Sequence, residues 1–254
     1  RWRPWRFCSR RPAAAASSAP SSVSEKTSAV FSISVGNLAM GGRGKTPVAM
    51  FLARLLIDAG ERTAVLSRGY GRRVVEDGVV VVSDGRGTHA DLDRSGDEAM
   101  LVALTVPDAA VLVCDERAIA ATFAQEIFGA TACVLDDGFQ HRGARRDVDL
   151  VIVTPADLQD RRLPFGRLRE SVSALSRASA VIVDGAMPAG GMPPKAGLTR
   201  DTPVFTLRRS LGGPVPLEVG KPWLTTNGPV VAMAGIAEPG RFLAALQQAG
   251  WTVA

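Results

Sequence analysis

The stretch Val30-Phe31-Ser32-Ile33-Ser34-Val35, followed by Gly36-Asn37-Leu38-Ala39-Met40-Gly41-Gly42-Arg43-Gly44-Lys45-Thr46, decides the fold. A short β-branched apolar run leads into a glycine-rich loop, and Gly-Lys-Thr then opens a helical pattern over 47–59. This order cradles phosphate, because glycines let backbone N–H groups converge on anionic oxygens at the positive end of a helix. Gly41, Gly42, Arg43 and Gly44 would form the nucleotide-binding loop, Lys45 would neutralise the β- and γ-phosphates, and Thr46 would ligate Mg²⁺. The strict pattern has Gly where Ala39 stands, so the motif is a variant.

The same rhythm continues outward. Apolar runs at 63–66, 110–114, 133–135, 150–153, 180–183, 204–207 and 230–234 read as buried strands, and 98–104, 116–128 and 241–249 read as helices. Strands alternating with helices imply βαβ units, so the expected fold is α/β: a P-loop NTPase-type, mostly parallel sheet with helices on both faces and a smaller C-terminal lobe. The run 79–83, set between glycine-containing turns, reads as a hairpin or side ribbon. The expected organisation is a basic Ser/Ala-rich disordered tail over 1–29, a core domain over 30–185, a Pro/Gly-rich linker or lid over 186–202, and a small α/β lobe over 203–254.

Composition narrows the function. The 254 residues are 46% hydrophobic and 22% charged, as in an ordinary globular protein, and contain no 18-residue apolar run that would cross a membrane as a helix. Five of the 30 basic residues lie in 1–24, which holds no acid, so from Glu25 onward each sign numbers 25. The net charge of +5 therefore belongs to the tail, and with 6% aromatics and one Tyr the body offers no platform for nucleic acid. Cys8, Cys114 and Cys133 show neither disulfide nor zinc spacing, which fits a reducing compartment.

Two further clusters carry chemistry. In Cys133-Val134-Leu135-Asp136-Asp137-Gly138-Phe139-Gln140-His141, an apolar strand ends in two carboxylates at the sheet edge where such folds bind ligands. One of them would hold Mg²⁺ in a nucleotide site, the alternative being a solvated turn. In Ser95-Gly96-Asp97-Glu98, Asp97 is either a helix N-cap or a general base, and residue chemistry alone favours the cap. Ser67-Arg68-Gly69-Tyr70-Gly71 follows the second strand and is open between a plain turn and a cleft wall.

Read in order, SVGNLAMGGRGKTP, LSRGYGR, SGDEAML, VLDDGFQHRGARRDVDLVIV, LPFGRLRES and Gly235-Ile236 with Pro239 and Phe242 resemble the tetraacyldisaccharide 4'-kinase family of lipid A synthesis, over roughly 30–254. The resemblance implies transfer of the γ-phosphate of ATP, with Mg²⁺, to the 4'-hydroxyl of a tetraacyldisaccharide 1-phosphate. It implies Asp97 as catalytic base, which replaces the capping preference, with Asp136 and His141 as the other catalytic residues. Thr46, Glu98 and Asp136 are the implied metal set, and Arg68, Tyr70, Asp137, Arg169 and Glu170 the implied substrate set. Arg142 is a further candidate contact for the acceptor's 1-phosphate.

The implied partners are the lipid substrate and, peripherally, an anionic membrane surface at the cytoplasmic face of the bacterial inner membrane; no nucleic acid and a monomeric state are expected. A mitochondrial location is the alternative if the Arg-rich tail is a transit peptide. Two departures accompany the resemblance. The family orients its catalytic Asp with a His beyond the Gly235–Phe242 segment, so the chain is expected to be C-terminally incomplete. The family also has an apolar N-terminal helix, where this tail offers Trp2, Trp5 and Phe7. The rival functions are another P-loop NTPase or hydrolase, and a degenerate nucleotide-binding module without turnover.

Overall fold

The computed structural model describes residues 30–141, 143–188, 190–214, 228–236 and 239–254. The expectations for the tail 1–29, with Trp2, Trp5 and Phe7, and for Arg142 lie outside these described residues.

The first strand, β1 (Phe31–Asn37), runs into the glycine loop and then α1 (Lys45–Asp58). There follow β2 (Thr63–Ser67), β3 (Val80–Asp84), α2 (Leu92–Ser95), α3 (Asp97–Thr105), β4 (Ala110–Val113), α4 (Arg117–Phe128) and β5 (Ala132–Asp136). After β6 (Val148–Val153) and β7 (Ala180–Asp184) come β8 (Val204–Leu207) and α5 (Pro239–Gln248). One eight-stranded sheet takes the order β3-β4-β2-β5-β1-β6-β7-β8, and every pairing except β3 with β4 is parallel.

Strand alternation explains the continuous apolar runs, because both faces of this sheet are covered. Val35, Val65, Val111, Val134 and Ile152 point to one face and pack under Val48, Ala49 and Ala53 of α1 and Ala99, Val102 and Ala103 of α3. Their neighbours Leu66, Leu112, Cys133 and Leu135 point to the other face, under Ala120, Ala121 and Ala124 of α4. The alanines let the helices sit close to the sheet. Beside α4, the second face is completed by Phe139, Leu158, Leu168, Val172 and Leu175 packed on Val151, Val153, Val181 and Val183.

Three expectations change. The run 79–83 becomes β3, an antiparallel edge strand on β4 with a register shift between Val81 and Ser83; alternation of apolar residues reports burial and not the pairing partner. The run 230–234 forms one isolated bridge, Val230 to Val253, with Val231 and Met233 facing solvent and no layer of the described residues over it. Strand β8, placed by sequence in the C-terminal lobe, extends the main sheet parallel to β7, so the 186–202 segment links two neighbouring strands of one sheet.

Candidate active site

The glycine loop leaves β1 between its two parallel neighbours, β5 and β6, at the carboxyl edge of the sheet. Gly41 and Gly44 take left-handed backbone (φ 102° and 75°), which favours glycine at both positions. Gly44 caps α1 without any side-chain hydrogen bond, so the first amides of this 14-residue helix remain available to an anion. Gly36 is small for a different reason: a Cβ there would lie 2.3 Å from the Cβ of Phe139, the buried ring of the DDGFQH segment. Gln140 Nε2 donates to the Asn37 carbonyl at 2.7 Å, tying that segment to the loop.

Register places the acids. Val35 of β1 pairs with Asp136 of β5, and Asp136 shares the face of Val134, toward α1. Thr46 Oγ1 donates to Asp136 Oδ2 at 2.9 Å. Asp136 Oδ1 is buried with no hydrogen-bond partner among the described residues. Burial, then the negative charge of Glu98, pushes the Asp136 carboxyl up to about 6. A hidden carboxylate oxygen with no donor, beside a hydroxyl that reaches the same group, suits a hard divalent cation whose remaining ligands are phosphate and water. No group of three or more His, Cys, Asp or Glu among the described residues is placed to hold a metal without such help.

Asp137 is the one non-glycine residue among those described with left-handed backbone (φ 55°), which turns its carboxylate away from the strand direction. Lys45 Nζ lies 3.3 Å from Asp137 Oδ1 and donates to Asn37 Oδ1 at 3.1 Å. Arg169 donates to both Asp137 oxygens, at 3.3 and 3.0 Å. Burial alone would raise Asp137, but Lys45 and Arg169 hold it below the usual carboxylate range. Glu98 is raised by desolvation and by the carboxylates of Asp97 and Asp137, against the pull of Lys45. Lys45, Thr46, Asp136, Asp137, Glu98 and Arg169 thus form one electrostatic group at the loop mouth.

Asp97 sits beside it and is not the helix cap. Gly96 (φ 76°) occupies the cap position of α3, and Asp97, the first helical residue, accepts the Glu98 amide at 3.0 Å while remaining open to solvent. A Cβ on Gly96 would lie 2.6 Å from the Tyr70 carbonyl, so the 69–71 turn packs on this helix start, with the Tyr70 ring 79% exposed. His141 lies within the fields of Arg117, Arg68, Arg146 and Asp137; partial burial and then the arginines lower it, leaving a neutral imidazole at pH 7.

Two expected residues turn elsewhere. The side chain of Arg43 points inward to Asp157 (2.7 Å, both ends buried), away from the phosphate cradle, because Asp157 also accepts the Thr154 amide and offers a fixed carboxylate under the loop. Glu170 pairs with Arg177 at 2.8 Å, the arginine that stacks on Phe139, 4.8 Å from the ring centroid.

Sequence reasoning missed Arg117, fully buried and donating to the Cys114 carbonyl at 2.5 Å. It also missed Asp184, which receives Arg209 (2.8 Å) and Arg241 (2.9 Å) at the end of β7. A Cβ on Gly44 would lie 2.7 Å from Arg209 Nη2, which brings this second cluster against the loop. Asn37 and Gln140 stood inside quoted motifs, but only the fold reveals their partners.

Residues 9–254 match the family model described as Tetraacyldisaccharide-1-P 4'-kinase. The chain is 39% identical over 230 residues to a Tetraacyldisaccharide 4'-kinase of Pelobacter propionicus, covering 86% of this chain and 61% of that protein. A Tetraacyldisaccharide 4'-kinase of Anaeromyxobacter dehalogenans is also 39% identical, over 232 residues, covering 87% of this chain and 61% of that protein. The chain therefore spans about three fifths of the length of these curated relatives. A crystal structure of LpxK from Aquifex aeolicus in complex with ATP matches with a TM-score of 0.71 and 32% identity, covering 90% of this chain and 70% of that one.

Proposed function

This chain belongs to the tetraacyldisaccharide-1-P 4'-kinase family, and from that premise we propose that it transfers the γ-phosphate of ATP to the 4'-hydroxyl of a tetraacyldisaccharide 1-phosphate. The observation that carries this reading is the meeting of Lys45, Thr46 and a donor-starved Asp136 at the mouth of a glycine loop, with Asp97 open beside them.

On nucleotide binding, Lys45 exchanges Asn37 and Asp137 for phosphate oxygens and follows the charge that develops toward the β–γ bridge. Thr46 and Asp136 would hold Mg²⁺, which when bound offsets the charge of the β- and γ-phosphates. Asp97 takes the proton of the 4'-hydroxyl as its oxygen attacks the γ-phosphorus, and ADP leaves. Arg169, braced by Asp137, and Arg68 present positive charge to the acceptor's 1-phosphate, while Tyr70 walls the cleft and neutral His141 donates a hydrogen bond. Glu98 shapes the field around Asp136.

In this reading the smaller C-terminal unit begins after β8, and α5 is tied back to the sheet through Arg241. The protein works peripherally at the anionic cytoplasmic face of the bacterial inner membrane. Among the described residues no helix is long and apolar enough to cross a membrane.

Labelled ATP, Mg²⁺ and the disaccharide 1-phosphate test the proposal directly. We expect phosphorylated lipid, and Asp97→Asn is expected to lower turnover by about 10²- to 10⁴-fold with nucleotide affinity kept. Phosphate release without acceptor would assign a hydrolase, and nucleotide binding without any product would assign a silent binding module.

A further inference from the structure

The loop from Asp160 to Glu170 departs from the same sheet edge as the glycine loop and is held rigidly. Leu163 N donates to the Leu168 carbonyl at 2.9 Å, Leu168 N to the Arg161 carbonyl at 3.0 Å, and Phe165 N to the Arg162 carbonyl at 3.0 Å. Gly166 lies so close to the loop's other limb that a Cβ there would be 2.2 Å from the Arg161 carbonyl oxygen. The base is sewn to the phosphate loop: Met40 N donates to the Arg167 carbonyl at 2.8 Å and Arg169 N to the Leu38 carbonyl at 2.7 Å. Leu168 anchors the base in the core, 1% exposed.

At the tip, the same constraints keep Phe165 84% exposed and Leu163 49% exposed. Arg161 and Arg162 flank them in solvent, and Lys195 stands across an open groove of about 560 Å³. The nearby acids are occupied, Asp160 by Arg167 at 3.1 Å and Glu170 by Arg177 at 2.8 Å. A fixed apolar tip inside a cationic collar is badly matched to water and well matched to an anionic interface, where rings seat at the acyl boundary and guanidinium groups meet phosphates.

We propose that residues 161–167 form an interfacial loop, which seats Phe165 and Leu163 in an anionic phospholipid bilayer with Arg161, Arg162 and Lys195 on the headgroups. The inference rests on the reading that the acceptor is a membrane lipid. It adds a consequence for that reaction: the loop that touches the membrane is hydrogen-bonded to the loop that holds phosphate, so docking fixes the height of the site above the bilayer.

Sedimentation with phosphatidylcholine vesicles, with and without phosphatidylglycerol, tests this in the full chain, where the N-terminal tail contributes equally to every variant. Phe165→Ser with Leu163→Ser, and separately Arg161→Glu with Arg162→Glu, are each expected to lower partitioning onto the anionic vesicles by about tenfold or more. Thermal melting and nucleotide affinity should stay at parental values, which shows that the variants fold. Parental sedimentation of either double variant overturns the proposal, as does displacement from vesicles by inorganic phosphate at matched phosphorus, which would mark a free-anion site. Phosphotransfer to a water-soluble deacylated acceptor separates the two readings. If it persists while vesicle binding is unaffected by the variants, the loop inference fails and the kinase stands; if no acceptor is phosphorylated while the variants lose vesicle binding, the reverse holds.

Discussion

At the carboxyl ends of β5 and β7 the sheet buries an aspartate to nearly the same degree, Asp136 at 4% exposure and Asp184 at 5%. Their surroundings are opposite. Asp184 is saturated by two guanidinium groups, Arg209 and Arg241. Asp136 has one hydroxyl donor, from Thr46, and an oxygen with none among the described residues. Burial by itself therefore does not identify a working carboxylate. A structural acid is given its counter-charges by the chain, whereas the acid proposed to bind a cation is left short of donors and is pushed toward its neutral form.

The sharpest test of this contrast is Asp136→Asn, expected to lower phosphotransfer by about 10³-fold while leaving the nucleotide-free protein folded, as read by kinetics and melting together. Comparable activity loss in Asp184→Asn would erase the distinction. Next comes Asp157→Ala, which removes the buried carboxylate 2.7 Å from the Arg43 guanidinium beneath the glycine loop. Removing one partner of such a pair is expected to cost about 3 kcal/mol in urea unfolding, and replacing both residues by Leu and Met should recover much of it.

A third test uses pH. Asp136 has a native value of about 6 against about 3.9 when unfolded, so between these values the native state holds more protons and stability rises as pH falls. The contribution is full below about 4 and lost as pH rises through 6, worth about 3 kcal/mol. Asp137, held low by Lys45 and Arg169, acts in the opposite sense, so the measurement is the difference in pH slope between the parent and Asp136→Asn, both free of nucleotide and metal. Equal slopes would refute the assignment. The smallest effect is expected of Asp184→Ala. Arg209 and Arg241 are about half exposed and can rehydrate, so a loss near 1 kcal/mol and less than about tenfold in turnover is expected, read by melting and steady-state rates.

Local patterns carried much of this molecule. The strands β1, β2, β4, β5, β6 and β7 were readable because two-sided burial demands continuous apolar runs, whereas β8, expected to be buried, is an edge strand with Phe205 57% exposed; the Gly-Lys-Thr opening of α1 was readable because phosphate cradling demands a fixed spacing. The run 79–83 showed its burial but not its antiparallel partner, and 230–234 showed hydrophobicity where the described residues supply no cover. At the helix start of α3 the cap fell on Gly96, since the close approach of the Tyr70 carbonyl leaves no room for a side chain.

From sequence alone, the candidate chemistry was legible wherever a motif is contiguous: a phosphate loop, paired carboxylates at a strand end, and a candidate base before a helix. Tertiary structure alone decided which charges serve one another. It turned Arg43 down to Asp157, separated by 114 positions, and set Asp136 beside Thr46, separated by 90. It also brought Arg241 across 57 positions to Asp184. Spacing in sequence encodes the period of a helix or strand, but the energy of a buried charge depends on what stands within a few ångströms of it, and only the packed sheet brings those groups together.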